Sequence, residues 1–115
     1  MSNSDLTISQ DIKNNICILT IEGKLDAKTA PELTSVLSSL LTKYSKIICN
    51  LEKLNYIASA GIGVFLKFLQ EAKAKNGDLV LVGLQKQVRD VFDLLKFTSL
   101  FKIYSNNEEA IKHLT

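Results

Sequence analysis

One short stretch of the chain carries residue types that could do chemistry. It is the run Ala58-Ser59-Ala60-Gly61, which we call the elbow, and it joins an apolar segment to an amphipathic one. A helix that starts there favours nearby negative charge by about 0.3–1 kcal/mol. A phosphoryl group on Ser59 brings about −1.5 to −2 units of charge. The elbow therefore suits a phosphorylation switch, which changes the fold little and a docked interface strongly.

A second interpretation of Ser59 is structural, because serine is a common helix N-cap and a cap alone explains it. Catalysis fits the sequence less well. The elbow does not match GxSxG, and the single histidine, His113, falls in a predicted terminal helix, so a Ser-His-Asp hydrolase is not expected. Gly61-Ile62-Gly63 lacks the later glycine of GxGxxG and the GK[ST] ending of a phosphate loop. We therefore expect no catalytic residues and no enzyme.

Chain length, net charge and the length of the apolar runs limit the class of protein. The chain has 115 residues and a formal net charge of +2 with scattered lysines, so we expect one domain and no direct nucleic-acid binding. No apolar run approaches the roughly 20 residues that span a bilayer. The polar N-terminus lacks the pattern of a signal peptide. These features predict a cytoplasmic protein that does not associate with membranes.

The two cysteines lie within apolar runs, at Cys17 and Cys49. Buried, reduced thiols that act as small hydrophobic side chains are the expected result. No CxxC pair occurs, and a zinc site needs about four ligands at suitable spacing. We therefore expect no metal site and no cofactor.

The apolar periodicity predicts an α/β domain in the order β-β-α-β-α-β-α-β-α. Strands are predicted at residues 6–12, 16–23, 46–51, 79–82 and 101–104. The helices are predicted to start at Thr29, at the elbow, near Val88 and near Asn106. Strands that alternate with helices imply right-handed crossovers and a mixed, largely parallel sheet, with the first hairpin as its antiparallel edge.

Several residues are predicted to begin or end these helices. Thr29 and Glu32 form a potential capping box around Pro31. Gly77 is expected to adopt the left-handed conformation that ends the second helix. Ser105 or Asn106 is expected to cap the last helix. Two glycines, Gly61 and Gly63, could let another backbone approach the start of the second helix closely.

Three stretches together resemble the STAS domain, and most closely the stand-alone bacterial anti-sigma factor antagonists. They are Gly23-Lys24-Leu25-Asp26, the run from Asn50 to Gly63, and Val88 to Leu95 followed by Leu100 to Tyr104. The resemblance covers nearly the whole chain. It implies one STAS domain over residues 1–115, ordered from about 5 to 114.

The resemblance also implies a mechanism. The unphosphorylated protein would bind an anti-sigma factor that is also a serine kinase, and so release a sigma factor for transcription. The kinase would phosphorylate Ser59, and a separate phosphatase would remove the phosphoryl group. The family's acidic residue near the phosphorylation site corresponds to Asp26. The implied partner-binding residues are Asp26, Ala58, Ser59, Ala60, Gly61, Ile62, Gly63 and Lys67, with Gln70 as a further contact.

Two positions depart from the family pattern, and alternatives remain open. Ala58 replaces the aspartate that usually precedes the phosphorylated serine, and Lys96 replaces a glycine after the third helix. The domain could instead be a fixed, non-phosphorylated subunit of a transport or signalling complex, with Ser59 as a cap. A small nucleotide-binding domain is a third alternative, for which the sequence offers no phosphate loop. Asp26 could also simply cap a turn, and Lys67 and Gln70 could form an ordinary solvated helix surface.

Overall fold

The computed structural model describes residues 5–115. The first four residues of the predicted domain, which belong to the N-terminal segment discussed above, lie outside the described residues. The elements are β1 (Leu6–Lys13), β2 (Ile16–Leu25), α1 (Ala30–Leu40), β3 (Lys46–Asn50), β4 (Leu54–Ile57), α2 (Ser59–Ala74), β5 (Asp78–Val82), α3 (Lys86–Leu94), β6 (Ile103–Tyr104) and α4 (Asn107–Leu114). No helix among these is long and apolar enough to cross a membrane.

The sheet confirms the predicted α/β class. Its strands run in the order β1-β2-β3-β5-β6, and β4 pairs with β2 outside that path. Only the β1–β2 hairpin is antiparallel, and the other strand pairs of residues 5–115 are parallel. The sheet is therefore mixed and largely parallel, which places the starts of the following helices along one edge, at the carboxyl ends of the strands.

β4 is the element that the sequence analysis missed. It has four residues with the burial order buried, exposed, exposed, buried, so it shows neither the alternation of a half-exposed strand nor a continuous apolar run. β2 is ten residues long. Its first half pairs with β3, and its end pairs with β4 after a register shift between Gly23 and Lys24. β4 thus carries the chain from the corner after β3 to the elbow.

The core lies on both faces of the sheet. The larger cluster joins one face of the sheet to α1, α2 and α3 and includes both cysteines, which confirms that Cys17 and Cys49 are buried. Burial raises the pKa of both thiols because it disfavours the thiolate. On the other face, α4 contributes Ala110 and Leu114 to a smaller cluster with Ile48 and its neighbours.

Two predicted helix-end roles are wrong. Thr29 stands at the N-cap of α1 but its side chain makes no cap hydrogen bond; its hydroxyl instead donates to the Lys24 carbonyl oxygen at 2.9 Å. At the end of α2, Asn76 rather than Gly77 is left-handed, with φ 63°. Gly77 is required for a different reason, because a Cβ there would lie 1.8 Å from the Ser45 carbonyl oxygen.

Other helix ends agree with the sequence. Asn106 caps α4 by accepting a hydrogen bond from the Glu109 N–H at 2.9 Å, which confirms one of the two predicted caps. Pro31 lies in the first turn of α1 as expected. Lys96 has φ 64°, so α3 ends in a left-handed residue even where lysine replaces the family's glycine.

Candidate functional site

The elbow brings Ser59 to the surface at the first residue of α2. Ala58 is the N-cap residue, with an extended backbone at φ −109° and ψ 169°, and its N–H donates to the Leu25 carbonyl oxygen at 2.9 Å. The interpretation of Ser59 as the cap is therefore wrong, because the chain enters the helix one residue earlier. Ser59 and Ala60 are both exposed. The Ser59 residue is thus exposed to solvent and does not occupy the N-cap position.

Neither the N-cap nor the first turn of α2 supplies a side chain that compensates its positive end. Ala58 has no oxygen with which to cap, and no acidic residue lies in the first turn. The N–H groups of a first helical turn have no partners within the helix, and they carry the positive end of the helix dipole. This helix start can therefore accept added negative charge.

Gly61 and Gly63 play different roles from the one expected. A Cβ on Gly61 would lie 2.6 Å from Leu25 Cγ and 3.0 Å from Ile57 Cγ1. Gly61 thus lets the first turn of α2 approach side chains of β2 and β4, and the expected close approach of another backbone is not observed. A Cβ on Gly63 would meet nothing within 4 Å, so this exposed glycine leaves a flat helix surface.

Asp26 lies in the neighbouring turn. Its Oδ1 accepts hydrogen bonds from the N–H of Lys28 at 3.0 Å and of Thr29 at 3.1 Å. The single proton of the Thr29 hydroxyl is shared between the Lys24 carbonyl oxygen, at 2.9 Å, and this Oδ1, at 3.2 Å. The hydrogen bond from the Thr29 N–H is the main cause that lowers the pKa of this carboxyl group, since it favours the charged form. The turn-capping role of Asp26 is therefore present.

The turn of Asp26 and the elbow lie side by side. Leu25, which precedes Asp26, is paired with Ile57 in the parallel register of β2 and β4. The carboxyl ends of adjacent parallel strands form the usual site face of an α/β sheet. The structure therefore brings together two of the predicted site segments that are about 30 residues apart in the chain.

The other predicted residues divide by exposure. Lys67 is exposed, and its ammonium group lies 5.2 Å from the centroid of the Phe68 ring. Gln70 is also exposed. Ile62 is 1% exposed and belongs to the core, and Gly61 is buried as well. The accessible part of the predicted surface is therefore Ser59, Ala60, Gly63, Lys67 and Gln70, with Asp26 and Ala58 partly exposed.

A groove beside the elbow was missed by the sequence analysis. Its volume is about 770 Å³, and its lining consists of small or hydroxyl-bearing residues: Ala27, Ala30, Pro31, Thr34, Ser35, Ser38, Ser39, Thr42 and Ala60. Most of them lie on α1, where serine and threonine on an outer helix face look like an ordinary solvated surface. Ala60 connects this groove with the elbow.

Tyr56 is a second feature without a sequence signal of its own. It lies in β4, three residues before Ser59, and is 50% exposed. Tyrosine is enriched among the residues that dominate binding energy in protein interfaces. Among residues 5–115, no group of three or more His, Cys, Asp or Glu is arranged to hold a metal ion. The exposed groups next to Ser59 thus include one large aromatic side chain.

The fold is that of a known family. The STAS domain family matches residues 7–110, and the chain belongs to that family. The anti-sigma-B factor antagonist of Staphylococcus aureus is 25% identical over 105 residues, which cover 90% of this chain and 97% of that protein. BtrV of Bordetella bronchiseptica, described by its name as a candidate anti-sigma factor antagonist, is 28% identical over 106 residues, or 91% of each chain.

Solved structures of the anti-sigma factor antagonist SpoIIAA share the fold. Its unphosphorylated form has a TM-score of 0.81 at 23% identity, over 93% of this chain and 95% of that one. The phosphorylated form, from Bacillus, has a TM-score of 0.74 at 21% identity, over 95% of this chain and all (100%) of that one. The chain is therefore similar over nearly its whole length to stand-alone antagonists, one of which has been solved in both states.

Proposed function

We propose that the protein is an anti-sigma factor antagonist whose binding to an anti-sigma factor is abolished by phosphorylation of Ser59. The observation that carries the proposal is the exposed hydroxyl of Ser59 at an uncapped helix start. The protein's membership of the STAS family and its similarity to named antagonists support the choice of an anti-sigma factor as the partner. In this proposal the protein catalyses no reaction and regulates sigma-factor-dependent transcription through its partner.

The switch follows from what a phosphoryl group experiences in each state. In the free protein, the group lies in water at the positive end of α2, which favours it by about 0.3–1 kcal/mol. Under a docked partner, the same dianion is desolvated, and an unpaired buried charge at an interface costs about 2–5 kcal/mol. The difference favours dissociation and leaves the fold intact.

The proposed phosphorylation needs a kinase that supplies most of the chemistry. Ser59 Oγ forms a bond to the γ-phosphorus of ATP, the bond to ADP breaks, and the hydroxyl proton passes to a base. Ala58 cannot be that base, so we expect the kinase to provide it. A phosphoserine phosphatase would reverse the modification. Because the donor is ATP, the switch would operate in the cytoplasm.

Mass spectrometry tests the proposal directly. The purified protein is incubated with ATP and the anti-sigma factor kinase of the same organism, and one phosphoryl group is expected to appear. Ser59→Ala should abolish it, whereas Ser9→Ala, at an exposed serine on β1, should not. Modification that persists in Ser59→Ala would refute the assignment of this residue.

Binding measurements test the consequence of the modification. Ser59→Asp is expected to weaken the complex with the anti-sigma factor by about 30-fold or more, in line with an unpaired interfacial charge. The control Ser9→Asp adds the same charge on β1, away from the elbow, and should bind normally. A stable complex that is insensitive to Ser59→Asp would instead favour the alternative of a fixed subunit.

A further inference from the structure

The corner between β3 and β4, formed by residues 50–53, controls where the elbow lies. β4 is only four residues long and pairs with β2 alone. Two backbone hydrogen bonds bracket it on that side: the Gly23 N–H donates to the Lys53 carbonyl oxygen at 3.0 Å, and the Ala58 N–H donates to the Leu25 carbonyl oxygen at 2.9 Å. So short a strand, bonded to one neighbour, is weakly held by its ladder alone.

On one side, α4 holds this corner through a buried amide. Asn50 is 5% exposed, and its Nδ2 donates to Asn107 Oδ1, in the first turn of α4, at 2.9 Å. The Asn50 Oδ1 accepts the N–H of Glu52 at 2.9 Å. Glu52 Oε1 also accepts from the same Nδ2, at the longer distance of 3.4 Å. Asn107 is therefore the closer acceptor of a buried amide whose hydrogen bonds are costly to lose, and its side chain ties the corner to α4.

On the other side, the start of α3 holds the same corner. Gln85 Nε2 donates to the Glu52 carbonyl oxygen at 2.8 Å. The Glu52 side chain packs against Gly83, whose φ is 70° and where a Cβ would lie 2.3 Å from Glu52 Cγ. Gln87 Nε2 adds a longer contact, 3.4 Å, to the carbonyl oxygen of Asn55 in β4. The N-cap residue of α3 thus holds the corner, and a residue of its first turn contacts β4 itself.

We propose that Gln85 and Asn107 are positioning residues for the elbow: they hold the corner from two sides and thereby fix where β4 presents Ser59. Neither residue belongs to the elbow; Asn107 contacts Asn50 and Gln85 contacts Glu52, so each acts on β4 through the corner that precedes it. The consequence for phosphorylation rests on the proposed function. The effect on the position of β4 does not, and it can be measured in the free protein.

Amide hydrogen exchange in three variants at position 107 or next to it tests the α4 contact. Asn107→Leu removes the acceptor and is expected to raise exchange of the Ala58 and Gly23 amides by about fivefold or more, as the loss of one hydrogen bond permits. Asn107→Asp keeps an acceptor oxygen and should stay within about twofold of wild type. Asn106→Ala removes the α4 cap without touching Asn50, so it controls for a loosened helix.

A reference amide separates positioning from general destabilisation. The Asp78 N–H donates to the Ser45 carbonyl oxygen, at the start of β5, and its exchange should not change in Asn107→Leu. Gln85→Glu, which keeps the size but loses the donor, is expected to reproduce the local signature of Asn107→Leu. Equal rises at Asp78 and Ala58, an equal effect of Asn106→Ala, or no rise at Ala58 would each overturn the proposal.

The phosphorylation rate tests what the positioning is for. With the anti-sigma factor kinase and ATP, Asn107→Leu and Gln85→Glu are expected to lower kcat for Ser59 about fivefold or more while KM changes little, because a misplaced acceptor reacts slowly even when it is bound. An unchanged kcat beside raised exchange at Ala58 would overturn the link to Ser59. If wild type itself is not phosphorylated, the proposed function fails, and the exchange measurements still decide the positioning role.

Discussion

The two helices that start at the carboxyl ends of β2 and β4 begin differently, although neither has a side-chain N-cap. The turn that precedes α1 is held by the Asp26 carboxylate, which accepts the N–H groups of Lys28 and Thr29, and the first turn of α1 contains the acidic Glu32. Before α2, Ala58 offers no side-chain acceptor and the first turn holds no acidic residue. The start of α1 therefore has negative side chains of its own, and the start of α2 has none in its cap or first turn. The difference indicates which of the two is suited to receive charge from outside.

The close packing of α2 at Gly61 gives the largest expected effect on stability. Gly61→Ala places a Cβ 2.6 Å from Leu25 Cγ in the core, and overpacking of this kind is expected to lower the free energy of unfolding by about 1–3 kcal/mol. Gly63→Ala is the matched control, because nothing lies within 4 Å of its Cβ; it should raise stability by about 0.5–1 kcal/mol. Urea unfolding measures both. Equal effects of the two substitutions would show that close packing of Gly61 against Leu25 does not matter for stability.

Removal of the Asp26 carboxylate should loosen the turn that precedes α1. Asp26→Ala is expected to lower the midpoint of denaturant unfolding at neutral pH, because the N–H groups of Lys28 and Thr29 lose their acceptor. The pKa of this carboxyl is lowered in the folded protein. Its charged form therefore stabilises the fold fully above the ordinary carboxyl pKa, about 3.9, and that part is lost as the pH falls through the lower, folded pKa.

The pH dependence supplies the control for Asp26. The difference in stability between wild type and Asp26→Ala should be constant near neutral pH and shrink only as the solution becomes acidic. A difference that persists unchanged at the lowest pH at which both proteins fold would mean that packing, and not the charge of the carboxylate, accounts for the effect.

The reverse change closes the start of α2. Ala58→Asp introduces an N-cap oxygen where the backbone is already extended, and a good cap replacing alanine stabilises a helix start by about 1 kcal/mol. Thermal or urea unfolding measures the gain. Ala58→Leu, which adds a side chain without an acceptor, should show none. A loss of stability in Ala58→Asp would indicate that the Ala58 backbone cannot direct a side chain to the first turn.

The contrast between these helix starts also explains which features could be predicted from the sequence and which could not. The long, strongly periodic elements and the exposure of Ser59 could be predicted from the sequence, because burial and polarity follow the period of each helix and strand. The role of Thr29 could not be predicted, and the turn-capping role of Asp26 stood as only one of two alternatives, because either residue can cap the same turn and only the backbone geometry decides between them. β4 was not predicted because Asn55 and Tyr56 are both exposed, which breaks the alternation expected of a strand. The groove was not predicted because it depends on how α1 lies relative to Ala60 in the folded chain.

The smallest expected effect is also the most specific to the open helix start. Phosphorylation of Ser59 should raise the free energy of unfolding by about 0.3–1 kcal/mol in the wild type, because the charge lies at the uncompensated positive end of α2. In Ala58→Asp the gain should vanish or change sign, since the new carboxylate already occupies that end and repels the phosphoryl group. Urea unfolding of the modified and unmodified forms, at low salt, measures the four stabilities of this cycle. A gain that is equal in both backgrounds would show that the phosphoryl group does not use the N–H groups that Ala58 leaves open.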